Sequence, residues 1–273
     1  IREIAPNAFA TSSVRSIECP ASLEVIGQCA FFYATELKSV TFAPNSKLKT
    51  IGEQAFSDCT NLETIELPNS VDSIGVNAFV LCENLKKITI PTGLRKLSRS
   101  TFMSCSNLMK VKFPETLKEI DETCFANCIS LTSLTLTGVE TIGERAFYNC
   151  KVLTNVKLNE GLKEIKDNAF QRCIAIETLE LPTSIEKTGA KLFLQCPEFD
   201  GFTVVAGSKY MMAEGGVLYS KDKTTLYECP QTAKSDNFVV PAETKLIRSM
   251  AFFECQDIKV ITLPKNLEKV GTG

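Results

Sequence analysis

The stretch IGEQAFSDCTNLETIELPNSVDSIGVNAFVLC, from Ile51 to Cys82, contains almost the same pattern twice. Ala55-Phe56 is followed by Cys59, then by spaced apolar residues that end in Leu67-Pro68 and by an Ile-Gly pair, before Ala78-Phe79 begins the pattern again. Self-similarity at a fixed spacing is the signature of stacked structural units. The stretch therefore predicts a repeat protein, and it sets the frame in which the rest of the chain is interpreted.

The same Phe recurs along almost the whole chain with a period of about 23 residues, apart from one long interruption before its last copy. Most copies have an apolar residue five positions before the Phe and further apolar residues six, nine and eleven positions after it. We predict that these positions face a shared interior. The ten members of this Phe register are Phe9, Phe31, Phe56, Phe79, Phe102, Phe125, Phe147, Phe170, Phe193 and Phe252.

Each repeat predicts a short strand, a break and a turn. The pattern LxxIxLP alternates apolar and polar residues with a period of two, which is typical of a strand with one buried face. The Pro that follows cannot donate to a strand ladder, so the strand is expected to end there. A second apolar pair, as in VDSIG, returns to the interior, and the segment xxAFxxC is expected to form a turn or a short helical turn. One repeat buries little alone, so the repeats must stack.

The composition favours a folded chain and argues against two classes of protein. Hydrophobic residues make up 44% of the sequence, too many for disorder, and no apolar run approaches the ~20 residues of a membrane span. The 30 basic and 32 acidic residues nearly cancel, unlike the basic excess of nucleic-acid-binding domains. We therefore expect residues 1–273 to form a single elongated domain with no nucleic-acid partner and no membrane insertion in this segment.

The repeat frame resembles the BspA-type leucine-rich repeat, a family of surface and adhesion proteins of bacteria and parasitic protists. The resemblance rests on AFxxCxxLxxIxLPxxLxxIG, whose members keep their spacing through many copies. It implies a curved, right-handed leucine-rich-repeat solenoid of about ten ~23-residue repeats with short parallel strands. It also implies cell-surface adhesion. GGVLYSKDKTTLYECP, Gly215 to Pro230, resembles the β-hairpin that often interrupts such arrays. We place this hairpin-containing insertion at 206–240, between the ninth and tenth repeats.

The cysteines raise the question of disulfides. Eight of the twelve lie three residues after a Phe of the register. Stacked turns bring such residues within Cα range of a disulfide, but their Cβ atoms point the same way instead of toward each other. We therefore predict buried reduced thiols, with Ala34 filling the same position in the second turn. A metal site is not expected, because the chain has no His and no CxxC.

The sequence offers little for catalysis. Without His, the Ser-His-Asp and Cys-His arrangements are absent. Asp121 and Glu122 could pair as acid and base, but they occupy an ordinary turn position and are interpreted as solvated surface. Gly215-Gly216 lacks the Lys-Ser or Lys-Thr of a phosphate loop. We predict a non-enzymatic protein without a cofactor.

The outward face of the predicted strands is the candidate binding site. The residues eight and ten positions after each Phe should form rows about 4.8 Å apart across adjacent strands. These rows carry Lys in their middle turns, Glu near both flanks and many Thr. Thr is a good strand former and Lys a good solubiliser, so the rows are explained equally well without a ligand. The candidate partner-binding residues, on the concave face, are Lys87, Thr89, Lys110, Lys112, Ser133, Thr135, Asn155 and Lys157.

Two functions stay open. The first is a cell-surface or secreted adhesin that binds a protein, such as a host matrix or surface protein, or an acidic glycan on this face. The second is an intracellular scaffold for protein–protein interaction, which the unpaired cysteines favour. We expect a monomer and an extracellular or cell-surface location, although this segment, which begins and ends inside a repeat, shows no signal peptide.

Overall fold

The computed structural model describes residues 1–273 and shows a parallel β-solenoid of about twelve turns. The elements are 25 short strands, numbered in chain order, with no helix. The predicted leucine-rich-repeat solenoid and its hairpin insertion are confirmed. The number of turns exceeds the ten copies of the Phe register, because the hairpin and the last strand complete turns that contain no register Phe.

The first set of strands follows each register Phe and corresponds to the LxxIxL pattern; we call it column A. Its members pair in parallel within small groups, β2-β4-β6, β8-β10, β12-β14, β16-β18 and β22-β24. Column A consists of β2 (Ser16–Cys19), β4 (Ser39–Phe42), β6 (Thr64–Ile65), β8 (Lys87–Thr89), β10 (Lys110–Lys112), β12 (Ser133–Thr135), β14 (Asn155–Lys157), β16 (Thr178–Leu181), β18 (Gly201–Val204), β22 (Phe238–Val239) and β24 (Ile261–Thr262).

The second set, column B, consists of two-residue strands five residues before the register Phe in most turns. It forms longer parallel ladders, β1-β3-β5-β7 and β9-β11-β13-β15-β17. Column B consists of β1 (Glu3–Ile4), β3 (Val25–Ile26), β5 (Thr50–Ile51), β7 (Ser73–Ile74), β9 (Lys96–Leu97), β11 (Glu119–Ile120), β13 (Thr141–Ile142), β15 (Glu164–Ile165), β17 (Lys187–Thr188), β23 (Leu246–Ile247) and β25 (Lys269–Val270). The second apolar pair of each repeat therefore returns to the core, as predicted.

The Gly that follows several column B strands is required by the close approach of the previous turn. A Cβ on Gly75 would lie 2.4 Å from the backbone nitrogen of Glu53, and the Gly75 N–H donates to the Ile51 carbonyl at 2.8 Å. Ser98 occupies the same position one turn later, and there β7 and β9 are not paired. The Ser98 hydroxyl donates to the Ile74 carbonyl instead, at 2.6 Å.

The segment around each register Phe is a tight turn built from left-handed residues. In all ten copies the residues two before and two after the Phe have positive φ, although none of them is Gly; Gln54 at 53° and Asp58 at 60° flank Phe56. These turns bond directly to the next turn, since the Phe56 N–H donates to the Ala78 carbonyl at 2.8 Å. Of the two conformations expected here, the turn is correct and the helical turn is wrong, because repeated positive φ values prevent helical bonding.

The register Phe rings stack along the axis of the array. From Phe9 to Phe193 each ring lies nearly parallel to the next, with ring centroids 5.0 to 5.5 Å apart. All of them except Phe9 are buried, in a core cluster of 61 residues. Phe252 is the exception to the predicted register. Its ring is half-buried and meets Phe238 edge-on, at 5.2 Å and 81°, in a separate small cluster.

Seven cysteines that lie three residues after a register Phe, from Cys59 to Cys196, connect neighbouring turns through their thiols. We call them the ladder cysteines. The Cys59 thiol donates to the carbonyl of Phe31 in the previous turn at 3.1 Å, and the Cys82 thiol donates to that of Phe56 at 3.2 Å. The same bond recurs from Cys105 to Cys196 in every turn. All twelve cysteines are free, and only Cys29 and Cys255 are not fully buried. Burial raises the pKa of the Cys59 thiol to about 12, so this thiol stays protonated and can donate.

The insertion ends the main array and begins the last turns. Its strands are β19 (Met211–Glu214), β20 (Val217–Ser220) and β21 (Thr225–Glu228). The predicted hairpin is β20 and β21; β19 was not predicted, and it pairs antiparallel with β20. The third strand, β21, pairs in parallel with β23 and so continues column B beyond the insertion. The hairpin turn lies against β18, since the Phe202 N–H donates to the Gly216 carbonyl at 2.9 Å, and the insertion therefore caps the main array.

The Glu228 side chain at the end of β21 replaces the backbone carbonyl that accepts the Phe N–H in other turns. Its carboxylate accepts the Leu192 N–H at 2.8 Å and the Phe193 N–H at 3.4 Å, which in other turns of the array bond to backbone carbonyls. Lys191 is also buried, and its ammonium donates to the Cys229 carbonyl at 3.3 Å. Burial raises the pKa of the Glu228 carboxyl, although Lys191 opposes this. Two buried ionisable side chains therefore lie where the insertion meets the last turn of the main array.

The aromatic stack predicts a large effect of truncation. We expect Phe125→Ala to lower the free energy of unfolding by about 3–5 kcal/mol, the usual cost of deleting a buried aromatic side chain. Phe125 is fully buried between Phe102 and Phe147. Denaturant unfolding measures the change, and Phe252→Ala is a matched control that should cost less because Phe252 is half-buried. A loss below about 1 kcal/mol for Phe125→Ala would contradict the stack.

The thiol ladder predicts protection from labelling. In the native protein a thiol reagent should modify mainly Cys29 and Cys255, and after denaturation it should modify all twelve cysteines. Native and denatured thiol counts, followed by peptide mass mapping, test this directly. Rapid native labelling of the ladder thiols, or disulfides between them, would show that the turns are not packed as described.

Glu228 predicts a specific pH dependence of stability. Burial raises the folded-state pKa of Glu228 above its ordinary value of 4.5, so the folded state holds the proton more tightly than the unfolded chain. The free energy of unfolding should therefore fall as pH rises above 4.5, relative to that of Glu228→Gln, and level off above the folded-state pKa. Denaturant unfolding from about pH 4 to pH 8 measures this difference. The exposed Glu243→Gln is the control, and a flat difference for Glu228→Gln would refute the assignment.

Candidate functional site

The eight predicted binding residues lie on strands β8, β10, β12 and β14 of column A, and all eight side chains are exposed. We call this surface the strand face. The alternation of the strands produces it, since Ile88 and Leu134 between the outward residues are buried in the core. The period-two pattern therefore placed these side chains on the correct side of the strand. Whether they bind a partner stays a prediction.

The register of the strands brings the lysines side by side. Lys87 is the parallel partner of Lys110, and Thr89 is the partner of Lys112. Two turns further along, Ser133 pairs with Asn155 and Thr135 with Lys157 in the same way. Adjacent strands lie about 4.8 Å apart, so the three lysines of β8 and β10 form one compact basic group.

The rows are less continuous than the sequence predicted. Strands β10 and β12 are neighbours in the array but are not paired, and the same holds for β6 and β8. The basic group of Lys87, Lys110 and Lys112 and the single Lys157 therefore lie on separate two-stranded ladders. The column A pattern is the same on both sides of each interruption, so it contains no signal for the break.

The four lysines of the strand face have no protein partner. The ammonium groups of Lys87, Lys110, Lys112 and Lys157 form neither a salt bridge nor a hydrogen bond with any other residue, although the structure covers the whole chain. Two like charges on directly adjacent strands repel each other, which opposes folding slightly. The strand face therefore has positive charge that the fold itself does not neutralise.

Lysines beside column B behave differently. Five of them reach a carboxylate of a neighbouring turn, so each of these positive charges lies beside a negative one. Lys96, for example, contacts both Glu119 at 2.9 Å and Asp121 at 2.8 Å. The other four pairs are Lys49–Asp72, Lys118–Glu140, Lys163–Glu140 and Lys245–Glu268. Five lysines beside column B are thus neutralised by carboxylates of neighbouring turns, whereas Lys187 and Lys269 of column B have no such partner and Lys86, next to β8, pairs with Glu63 at 3.8 Å.

A shallow groove lies where β6 and β8 separate. It has a volume of about 310 Å³, and its polar lining includes Thr64, Glu66, Asn69, Lys87 and Thr89. Glu66 provides a negative charge beside the basic group. The sequence predicted this neighbouring Glu, but it did not predict the groove, because the groove depends on the unpaired strands.

The chemistry of these groups favours binding over reaction. Free ammonium groups attract anions, and hydroxyl and amide groups donate and accept hydrogen bonds. The ladder thiols are poor nucleophiles, because burial keeps their pKa values raised, as it does for Cys82 and Cys128. No three His, Cys, Asp or Glu side chains lie close enough together to hold a metal ion, and no helix of the structure is suited to span a membrane.

The repeat family is shown by the sequence itself. A BspA type leucine rich repeat region matches in six copies, over residues 2–132, 118–213 and 223–273. The chain belongs to the BspA-type leucine-rich repeat family. The resemblance based on the Ala-Phe, Cys, Leu-Pro and Ile-Gly spacing is therefore confirmed. No curated protein matches the sequence of this BspA-type chain.

Two bacterial structures are similar to this BspA-type chain. A leucine-rich repeat protein from Bacteroides ovatus is 24% identical, with a TM-score of 0.76 over 99% of this chain and 78% of that chain. A leucine rich cell surface protein from Faecalibacterium prausnitzii is 24% identical, with a TM-score of 0.69 over 95% of this chain. This BspA-type chain covers 66% of the length of the latter protein. At this identity the similarity shows a shared fold.

Sequence reasoning missed a second surface, a cleft beside the insertion. It lies between the end of the main array and the last turns, and residues 230–238 contribute much of its lining. The interruption of the Phe register indicated where the region lies in the chain. The hairpin pattern alone, however, does not predict which parts of the solenoid lie beside the hairpin. The pair Gly215-Gly216 was the usable signal, since both residues have positive φ and place the hairpin against β18.

Proposed function

We propose that this chain is a non-enzymatic binding protein of the cell surface, whose strand face docks an acidic protein or an acidic glycan. The observation that carries the proposal is the contrast between four unpaired lysines on the strand face and the neutralised lysines beside column B. An anionic partner would remove the repulsion between Lys87 and Lys110. Family membership supports the proposal, because solenoid repeats provide extended surfaces for binding.

The shape of the strand face suits an extended partner. It is a row of short side chains and free charges across four strands, with a shallow groove at one end in place of a deep pocket. Small molecules are usually bound in concave pockets that bury most of their surface. A polymer with repeated negative charges, or an acidic protein surface, can instead contact several turns at once.

The surface location is supported by the Faecalibacterium protein of the same fold, which is described as a cell surface protein. An intracellular scaffold is the alternative, and the twelve free cysteines favour it, since disulfides are rare in reducing compartments. Ten of these cysteines are buried, however, and a buried thiol is protected from oxidation in either compartment. The free thiols are therefore only weak evidence against a cell-surface location.

The test is a charge reversal on the strand face. The chain is first screened against host matrix proteins and acidic glycans, and a confirmed binder is then measured against Lys87→Glu, Lys110→Glu, Lys112→Glu and Lys157→Glu combined. Affinity should fall by more than about tenfold, because the four glutamates would place like charges against an acidic partner, which costs several kcal/mol. The native affinity should also weaken with salt, since the Debye length falls from ~10 Å at 0.1 M to ~3 Å at 1 M.

Its matched control reverses four lysines beside column B, in a variant that combines Lys49→Glu, Lys118→Glu, Lys163→Glu and Lys245→Glu. Both variants change exposed side chains, so unfolding midpoints should confirm that each is folded. If the folded strand-face variant kept its affinity, or if the control lost as much affinity, the binding site would not lie on the strand face.

A further inference from the structure

A cleft with a volume of about 990 Å³ lies where the insertion interrupts the array. Pro197 and Asp200 from the end of the main array line one side of it. Gly215 contributes from the hairpin, and Phe238 and Asp257 contribute from the last turns. The cleft is therefore a gap between two parts of the solenoid, and the strand face lies several turns away.

An open strand edge adjoins the cleft at Phe238. Strand β22 (Phe238–Val239) pairs only with β24. Its bonds to that side run from the Phe238 N–H to the Val260 carbonyl at 2.8 Å and from the Val240 N–H to the Thr262 carbonyl at 3.0 Å. In a parallel ladder successive residues bond to opposite neighbours, so the N–H and C=O of Val239 point away from β24. They point to the side on which column A would continue toward β18.

The opposite edge is already covered. The Phe202 N–H of β18 donates to the Gly216 carbonyl of the hairpin turn at 2.9 Å. The hairpin thus closes the end of the main array and leaves β22 without a neighbour on that side. Peptides in an extended conformation bind at unpaired strand edges, where they add one strand to the sheet.

The outward strand positions beside this edge carry apolar side chains, whereas the equivalent positions in the middle of the array carry lysines. Val239 pairs with Thr262, which places it on the outward side of column A, and it is 63% exposed. Val260, eight residues after Phe252, occupies the position that Lys87 and Lys110 hold in their turns, and it is 52% exposed. The exposed Val239 side chain offers a contact for an apolar side chain of an added strand, and Val260 extends the apolar surface by one strand on the other side of β22.

The charge of the cleft selects among possible peptides. Asp200, Glu254 and Asp257 contribute three carboxylates to the lining, against the single ammonium of Lys234. That ammonium is 3.9 Å from Asp257 and is therefore already paired. The adjoining groove adds Asp236 and Lys259, which cancel. The combined surface is net negative, so it complements a peptide with basic side chains.

We propose that this cleft binds an extended segment of a partner protein, rich in apolar and basic residues, which adds a strand to the open edge of β22. The backbone of the segment pairs with Val239, an apolar side chain of the segment lies beside Val239, and its basic side chains face the carboxylates of the lining. The site is independent of the strand face, which has the opposite charge and selects an acidic partner.

The test uses the 273-residue chain and two ten-residue probe peptides, one of alternating Val and Lys and one of alternating Val and Glu. Fluorescence anisotropy of labelled peptide should show saturable binding of the Val-Lys peptide and at least tenfold weaker binding of the Val-Glu peptide. The key variant is Val239→Pro, which removes the outward N–H. It retains the two bonds of β22 to β24, because neither of them uses the Val239 N–H.

We expect Val239→Pro to lower the affinity for the Val-Lys peptide by at least tenfold. Val239→Thr, which keeps the N–H, should lower this affinity less than threefold. Asp200→Lys combined with Asp257→Lys should also weaken it at least tenfold, whereas Glu83→Lys, an exposed charge on the main array, should have no effect. Thermal unfolding of each variant confirms that it is folded.

Three results would overturn the proposal. The first is no saturable binding of the Val-Lys peptide, and the second is equal binding to a folded Val239→Pro variant. The third is self-association of the chain that Val239→Pro abolishes while peptide binding is absent, since this would assign the open edge to a second copy of the chain.

Discussion

The fold depends on the contacts that each register Phe from Phe31 to Phe170 makes with the turns on both sides of it. Its ring lies between two other rings, its N–H donates to the following turn, and its carbonyl accepts a thiol from that same turn. Every part of this arrangement needs a neighbour of the same kind. A single turn would expose the ring and leave the N–H and carbonyl without partners. The period in the sequence is thus a physical requirement of the fold, since no turn is stable alone.

The sequence predicted the features that follow from the period and failed on those that depend on backbone conformation or on single residues. The two strand columns, the free thiols and the outward position of Lys87 follow from the spacing alone. The left-handed turns were not predicted, because Gln54, Leu81 and Arg145 carry no sign of positive φ. Glycine would have marked such positions, and the chain uses none there.

The insertion shows the same limit from another side. Its hairpin was predictable from two apolar runs around a polar tip, but its role was not. That role depends on Glu228, one carboxylate whose partners lie about 35 residues earlier in the chain. The breaks in column A are similar, since β10 and β12 have the same pattern as the strands that do pair. Long-range contacts of single residues leave no periodic signal.

The surface chemistry of the array is largely separate from its stability. Inward positions of successive turns are nearly interchangeable, whereas outward positions vary from Lys in β8 and β10 to Thr and Ser in β12 and to Val in the last two turns. One scaffold therefore presents a basic region and an acidic, apolar region along a single molecule. Exposed strand residues have small effects on folding, so such regions can differ without disturbing the core.

The Glu228 cap also bears on how the length of such a molecule is set. The carboxylate accepts two backbone N–H groups, so a turn of the same geometry with a Lys at the position of Lys191 presents an equivalent end to it. Whole turns placed before the cap would meet the same neighbours as the existing turns do, and neither terminus of the array would sense how many there are. A chain of this type can be lengthened or shortened in units of one repeat, and its binding regions moved apart or together, while its closing element stays unaltered.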